Sequence, residues 1–249
     1  MILTAENYFS PEAQIEYMSY SQIKAFDTCE AAAMAELRGE RSPPKSAALL
    51  IGGYVDARFS GETDQFIEFN PELLKKDGSL KAEYIQADAI IRRIKRDSMM
   101  TRYLSGQKQV IMTGQIDGFP FKIKIDSYHP GKAIVDLKTV RSFGDVWTND
   151  GKVSFVEAWG YDMQGAIYQA VEGHKLPFFL AAATKEAVPD IAVISIPQDA
   201  LDNAMAMIRH KLSRIDGIKR GEIEPIRCEK CDWCKETKVL TEAIDYRLM

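Results

Sequence analysis

No apolar run in the 249 residues approaches the roughly 20 that a helix needs to cross a bilayer; LPFFLAAA at 176–183 is among the longest. The opening MILTAENYFSPEAQ has acids where a secretion signal has bases, and it lacks an apolar stretch, so it does not read as a signal peptide. The expectation is a cytoplasmic protein with no membrane partner. Positive charge is not in excess either: 32 Lys and Arg stand against 36 Asp and Glu, a net of −4. That excludes a general polyanion binder and leaves nucleic acid only to a local channel of positive potential. Cysteine is scarce, with four residues, and a reducing compartment argues against disulfides. No repeat, low-complexity tract or Pro/Gly/Ser linker divides the chain, which predicts a single domain over 1–249.

What is present is ordinary for a globular protein: 46% hydrophobic and 27% charged residues. Ser21 reads as the N-cap of a helix through SQIKAFDTCEAAAMAELRG to Gly39. Further helices are predicted from about Ala47 to Phe59 and over 81–104. KQVIMTGQID, FPFKIKIDSY and KAIVDLKTV then alternate or run β-rich, separated by Asp117-Gly118 and His129-Pro130-Gly131, which predicts a three-stranded antiparallel meander. A helix over 155–172, strands in LPFFLAAATK and DIAVISI, and a last helix from Pro197 to about Ile215 complete the chain. This order predicts an α/β fold, a mixed sheet with helices on both faces.

The densest chemistry lies in the meander. Asp136 and Lys138 are two apart on one strand and share a face, while Val135 and Leu137 take the other. Hairpin pairing would bring Asp126 beside Asp136. Two carboxylates and an ammonium at one spot suit phosphodiester hydrolysis: the acids hold Mg²⁺ or Mn²⁺ through oxygen, the cation polarises the phosphoryl group, and the lysine offsets developing charge. For an isolated D-x-K, a solvated strand face carrying ion pairs is the commoner explanation. The following helix adds Gln164 and Tyr168, four apart on one helical face. Alone, these read as a surface amide and a packed ring.

Cys228, Cys231 and Cys234 repeat the C-x₂-C-x₂-C opening of iron–sulfur sites. Cys29 can supply a fourth thiolate only if the N-terminal helix packs against the tail from 221 to 249. An iron–sulfur centre, a zinc site and buried free thiols all remain open on this pattern.

The segments YSQIKAFDTCE, ALLIGGYVDARFSG, IKIDSYHPGKAIVDLKTV, GYDMQGAIYQ and CEKCDWC occur in an order that spans nearly the whole chain. Together they resemble the PD-(D/E)xK nucleases of the RecB-type branch, and within it the phage exonuclease VIII (RecE-like) members. That resemblance implies a restriction-endonuclease-like core. It implies catalytic roles for Asp126, Asp136, Lys138, Gln164 and Tyr168, with Asp126 and Asp136 as ligands of Mg²⁺ or Mn²⁺. Asp56 stands where the family often has a metal-binding histidine, and Ile123 where it usually has a glycine. Asp56 is therefore a candidate third oxygen ligand. A structural [4Fe–4S] cluster on Cys29, Cys228, Cys231 and Cys234 is implied too, with zinc as the alternative. So are an exodeoxyribonuclease acting on double-stranded ends in recombination, a phage single-strand annealing protein as partner, and a homo-oligomer.

Arg92, Arg93, Lys95, Arg96 and Arg102 make the segment near 90–104 the most basic; Arg92, Arg93 and Arg96 are candidate DNA contacts, as is Thr139 beside the lysine. Trp147, Trp159 and Trp233 are candidates for stacking on unpaired bases, although Trp159 is expected in the core. The rival functions are a structure-specific or single-strand nuclease, an inactive DNA-binding member of the fold, and an electron-transfer protein built on the cysteines.

Overall fold

The computed structural model describes residues 1–148, 151–243 and 245. The N-terminal third is helical: α1 (Pro11–Glu16), α2 (Tyr20–Thr28), α3 (Glu30–Leu37), α4 (Ala47–Ser60), α5 (Thr63–Phe69), α6 (Ile85–Lys95) and α7 (Ser98–Tyr103). The meander follows as β1 (Gln107–Ile116), β2 (Phe119–His129) and β3 (Ala133–Val140), then a small hairpin of β4 (Val146–Thr148) and β5 (Gly151–Val153). Next come α8 (Phe155–Ala158), α9 (Tyr161–Glu172), β6 (Phe178–Thr184), β7 (Ile191–Ile196), α10 (Gln198–Lys219) and the short α11 (Asp232–Glu236).

Three helices expected to be continuous are broken, each for a local reason. The segment 21–39 splits at Cys29, whose backbone is extended at φ −166°, ψ 110°; the first half is capped by Ser19, not Ser21. The segment 81–104 splits at Asp97, whose side chain accepts from the Met100 N–H and starts α7. The segment 155–172 splits at Gly160, held at φ 70°, a conformation glycine adopts without penalty. The last helix runs four residues beyond Ile215, to Lys219. The short α1, α5 and β4–β5 hairpin went unforeseen.

The main sheet has the order β1-β2-β3-β6-β7. β1 and β2 pair antiparallel from Gln107↔Tyr128 to Ile116↔Phe119, β3 and β6 pair in parallel from Ile134↔Phe178 to Val140↔Thr184, and β6 and β7 are antiparallel. The β2–β3 ladder is short: Ser127↔Val135, Tyr128↔Ile134 and His129↔Ala133. Beyond Ser127 the two strands separate, and the N-terminal segment enters the gap. Met18 bridges Phe121, with Met18 N–H on the Pro120 carbonyl and Lys122 N–H on that of Met18.

Strand alternation divides the core in two. Ile123, Ile125, Ile134, Phe178 and Leu180 pack against Ile23 and Phe26 of α2, Ile167 of α9, and Ile208 and Leu212 of α10. Val135, Leu137, Ala181 and Ala183 pack against Leu50 and Val55 of α4 and Ile90 and Ile94 of α6 on the opposite side. Helices therefore flank a mixed sheet on both faces, as the element order predicted. Among the described residues no helix is long and apolar enough to cross a membrane.

Candidate active site

The pairing of β2 with β3 ends at Ser127↔Val135, and the next residues outward are Asp126 and Asp136. Both acids thus stand where two neighbouring strands diverge, so their carboxylates face a gap instead of a ladder. Asp126 Oδ2 accepts from the Leu137 N–H at 2.8 Å, which ties it across to β3. Asp136 is 2% exposed. Its Oδ1 accepts from Gln164 Nε2 at 2.6 Å, and its Oδ2 forms an ion pair with Lys138 Nζ at 2.6 Å. The Lys138 ammonium also lies 5.4 Å from the Tyr161 ring centroid.

Helix α9 delivers Gln164 because it sits very close to the sheet. Gly165 permits this approach: a Cβ there would stand 2.6 Å from the Phe178 ring and 2.8 Å from Leu201. One turn on, the Tyr168 hydroxyl donates to the Lys124 carbonyl at 3.0 Å. Among the described residues, two buried side-chain oxygens still lack a hydrogen-bond donor. One is Gln164 Oε1; the other is Asp136 Oδ2, whose contact with Lys138 is an ion pair without hydrogen-bond geometry. Buried acceptors normally find partners, so these two mark a place suited to a cation.

Asp56 on α4 is the third acid of the group. Gln109 bridges it to Asp126: its Nε2 is 3.3 and 3.4 Å from the Asp56 oxygens and 3.5 Å from Asp126 Oδ1. Gln109 is at φ 51°, uncommon for a residue with a side chain, and it is the position missing from the β1–β2 register. Strain of this kind concentrates at functional sites. Nothing in the sequence signals a left-handed residue inside a strand, so Gln109 was not foreseen.

The electrostatics follow from this crowding. Burial, then Asp136 and Asp56, hold the Asp126 carboxyl well above its ordinary range. Burial, then Asp136, push Asp56 up to about 6 against the pull of Lys124 and Lys138. Burial works against the Lys138 charge, but Asp136 and Asp126 outweigh it and keep the ammonium protonated beyond its usual range. The Gln109 amide stands between the carboxylates of Asp56 and Asp126, and the Lys138 ammonium beside that of Asp136.

Other anticipated residues lie elsewhere. Thr139 points to the α4 face, where a Cβ on Gly52 would meet its Oγ1 at 3.0 Å, away from the face of Asp136 and Lys138. Arg92, Arg93 and Arg96 belong to α6 and its C-cap, with no hydrogen bond or ion pair to the acids among the described residues. Trp159 is not a core residue: it is 44% exposed, because the break at Gly160 takes it off the periodic face of α9. Its carbonyl accepts from Tyr20 Oη and Lys24 Nζ, and Lys24 lies 5.4 Å from its ring centroid. Phe9, 67% exposed, lies 6.0 Å from Lys124 Nζ, which in turn is 3.7 Å from Glu62.

The four cysteines converge at the other end of α2. Cys29 Sγ is 3.6 Å from Cys234 Sγ and 3.8 Å from Cys231 Sγ, and Cys228 Sγ is 3.9 Å from Cys234 Sγ. All four sulfurs lie within 4.8 Å of one another, a set able to hold a metal ion.

Residues 19–237 match the model of a family described as a PDDEXK-like domain of unknown function (DUF3799). A crystal structure of an Eubacterium rectale protein named "Putative exonuclease" superposes with a TM-score of 0.95 at 48% identity, over 98% of this chain and 97% of that one. The solved structure of SSO0001 gives a TM-score of 0.33 at 13% identity, over 80% of this chain and 86% of that one. No curated protein matches by sequence.

Proposed function

We propose, for a chain that belongs to the PDDEXK-like family matched over residues 19–237, that it is a divalent-metal-dependent exodeoxyribonuclease acting on double-stranded DNA ends. The observation that carries this reading is the buried Asp136, bonded to Gln164 and paired with Lys138 at 2.6 Å, opposite Asp126 where the strands part. Asp136 and Asp126 would hold Mg²⁺ or Mn²⁺ with Asp56 as a third oxygen donor, and Asp136 Oδ2, which accepts no hydrogen bond among the described residues and meets only the Lys138 ion pair, fits that use. The bound cation supplies Lewis acidity toward the phosphodiester. Lys138 orients the attacking water and offsets charge growing on the phosphate, and its ion pair keeps it protonated for that task. Gln164 fixes the Asp136 rotamer, and the Tyr168 hydroxyl secures β2 at Lys124.

The resemblance to exonuclease VIII extends the proposal to one nuclease domain over 1–249, a cytoplasmic setting, phage-type recombination, a single-strand annealing partner and a homo-oligomer. Digestion of end-labelled linear duplex with Mg²⁺, beside a closed circle and an EDTA control, tests the core of it. Loss of the linear form alone is expected; equal attack on circles refutes the exonuclease. A second reading, a nuclease for single-stranded ends, draws on Trp159 over Lys24 and Phe9 beside Lys124, since exposed rings interleaved with cations suit unpaired bases. Faster digestion of single strands than of duplex would select it.

Cation binding should depend on pH. A carboxylate whose folded pKa is raised contributes stability that is present below its unfolded value and lost as pH rises through the folded value. With Asp56 raised to about 6, the metal-free protein should lose stability from about pH 4 upward through about pH 6. Binding needs the ionised acids, so Mn²⁺ affinity should fall about tenfold per pH unit below 6 for each proton displaced. Calorimetric titration checks this; affinity flat between pH 5 and 7 contradicts it.

Removing the Gln109 amide should loosen the same acids. Gln109→Ala should destabilise the metal-free protein by about 1 kcal/mol or more, the typical worth of a hydrogen bond to a charged group at long, partly wet geometry. Gln109→Gly also loses the amide but relieves the left-handed backbone, so the difference between the two variants reports the backbone's share. Saturating Mg²⁺ should narrow the difference in melting temperature for both variants. An equal deficit with and without Mg²⁺ would assign Gln109 to folding alone.

A further inference from the structure

We propose that the four thiolates hold a single tetrahedral zinc ion, not the [4Fe–4S] cluster that the C-x₂-C-x₂-C spacing suggests. The argument rests on sulfur–sulfur distances. Four thiolates about 2.3 Å from one central ion form a tetrahedron with edges of about 3.8 Å. Here three edges are 3.6, 3.8 and 3.9 Å, and no pair among the four exceeds 4.8 Å. A four-iron cube seats each thiolate on its own corner iron. The sulfurs then point away from a shared centre and stand apart by more than the one-ion edge. A two-iron centre fails likewise, because it splits the sulfurs into two separated pairs. Nor are these disulfides: all four cysteines are free, at distances far beyond the roughly 2.05 Å of an S–S bond.

The surroundings suit a closed structural site. Cys29 and Cys234 are 5% and 0% exposed. Cys29 caps α3 without using its side chain as a cap, so its thiol is free to turn to the tail. The Cys231 N–H donates to Cys228 Sγ at 3.3 Å and the Cys234 N–H to Cys231 Sγ at 3.5 Å, bonds that stabilise thiolate over thiol. Glu229, at φ 57°, is the bend that brings Cys228 and Cys231 together. Among single ions, four sulfur donors in tetrahedral array accept zinc or iron, and the affinity order places Zn²⁺ above Fe²⁺. The proposal stands apart from the nuclease reading: it uses none of the acids and holds whether or not they cleave DNA.

The test is metal analysis of the full chain, expressed with iron and zinc both supplied and purified without oxygen. One zinc per chain, negligible iron and no visible charge-transfer absorption are expected. X-ray absorption at the zinc edge should show four sulfurs at about 2.3 Å, and exchange with Co²⁺ should give the visible bands of a tetrahedral thiolate site. Cys231→Ser should lower zinc retention at least tenfold; should that variant fail to fold, the parent protein's absorption spectrum still decides. Four irons per chain, one mononuclear iron, or a folded protein without metal would each overturn the assignment.

Discussion

Asp136→Asn should leave a folded protein whose DNA degradation falls by at least about 10³-fold. One buried carboxylate here meets the Gln164 amide and the Lys138 ammonium, and under the proposed function it also holds the cation. Loss of a single preorganised charge-stabilising group costs about 10²–10³ in turnover, and losing a ligand of the cation adds to that. Folding should not suffer equally. Burial and mutual repulsion already hold Asp56 and Asp126 above their ordinary ranges, so a neutral side chain at 136 removes like charge from the cluster. Lys138, 23% exposed, keeps Asp126 nearby and can reach solvent. The metal-free variant should therefore melt at or above the parent's temperature while single-turnover cleavage of end-labelled duplex disappears. Lys138→Ala should abolish cleavage as well, but with the opposite stability sign, because it leaves the acids without their countercharge. Cleavage within tenfold of the parent in both variants would end the assignment.

Cys234→Ala carries the second large effect, on stability. Cys29 and Cys234 are 205 positions apart, so a metal held between them closes nearly the whole chain into a loop. Treated as a cross-link, closing a loop of that length restricts the unfolded state by about 5 kcal/mol. For a chain of this size that corresponds to about 10–20 °C in melting temperature. Stripping the parent protein with a strong chelator should produce a shift of the same size and should add nothing to the variant. Arg214 paired to Glu30 at 2.6 Å, with Glu30 also accepting from the Ile226 N–H, will retain part of the terminal packing. A variant melting within 2 °C of the metal-loaded parent would show that the cysteines do not staple the ends.

The sheet was legible because its signals are local. Asp117-Gly118 and His129-Pro130-Gly131 mark the turns of the meander, and β-rich runs mark its strands. The D-x-K strand, Gln164 and the four cysteines could be placed together because period 2, period 3.6 and ligand spacing each limit which side chains meet. The gaps have one cause: they lie where tertiary contact overrides periodicity. The helix over 21–39 is broken by a cysteine that must reach the tail. Trp159 leaves the core at a glycine whose left-handed turn looks, in sequence, like a tolerable helical residue. Gln109 and the insertion of Met18 beside Phe121 depend on strands that part after three pairs, a distance no turn motif encodes.

The union of Cys29 with residues 228–234 also sets an order on biosynthesis. At about 5–20 residues per second, the ribosome makes Cys29 some 10–40 s before its last partner, 205 positions later. The strands bearing Asp126, Asp136 and Lys138 are already made by then, as is the core that holds α2 through Ile23 and Phe26; the tail adds its thiolates only at the far end of that helix, at Cys29. A nascent chain thus carries both acids and the lysine before the thiolate site that joins Cys29 to residues 228–234 can close.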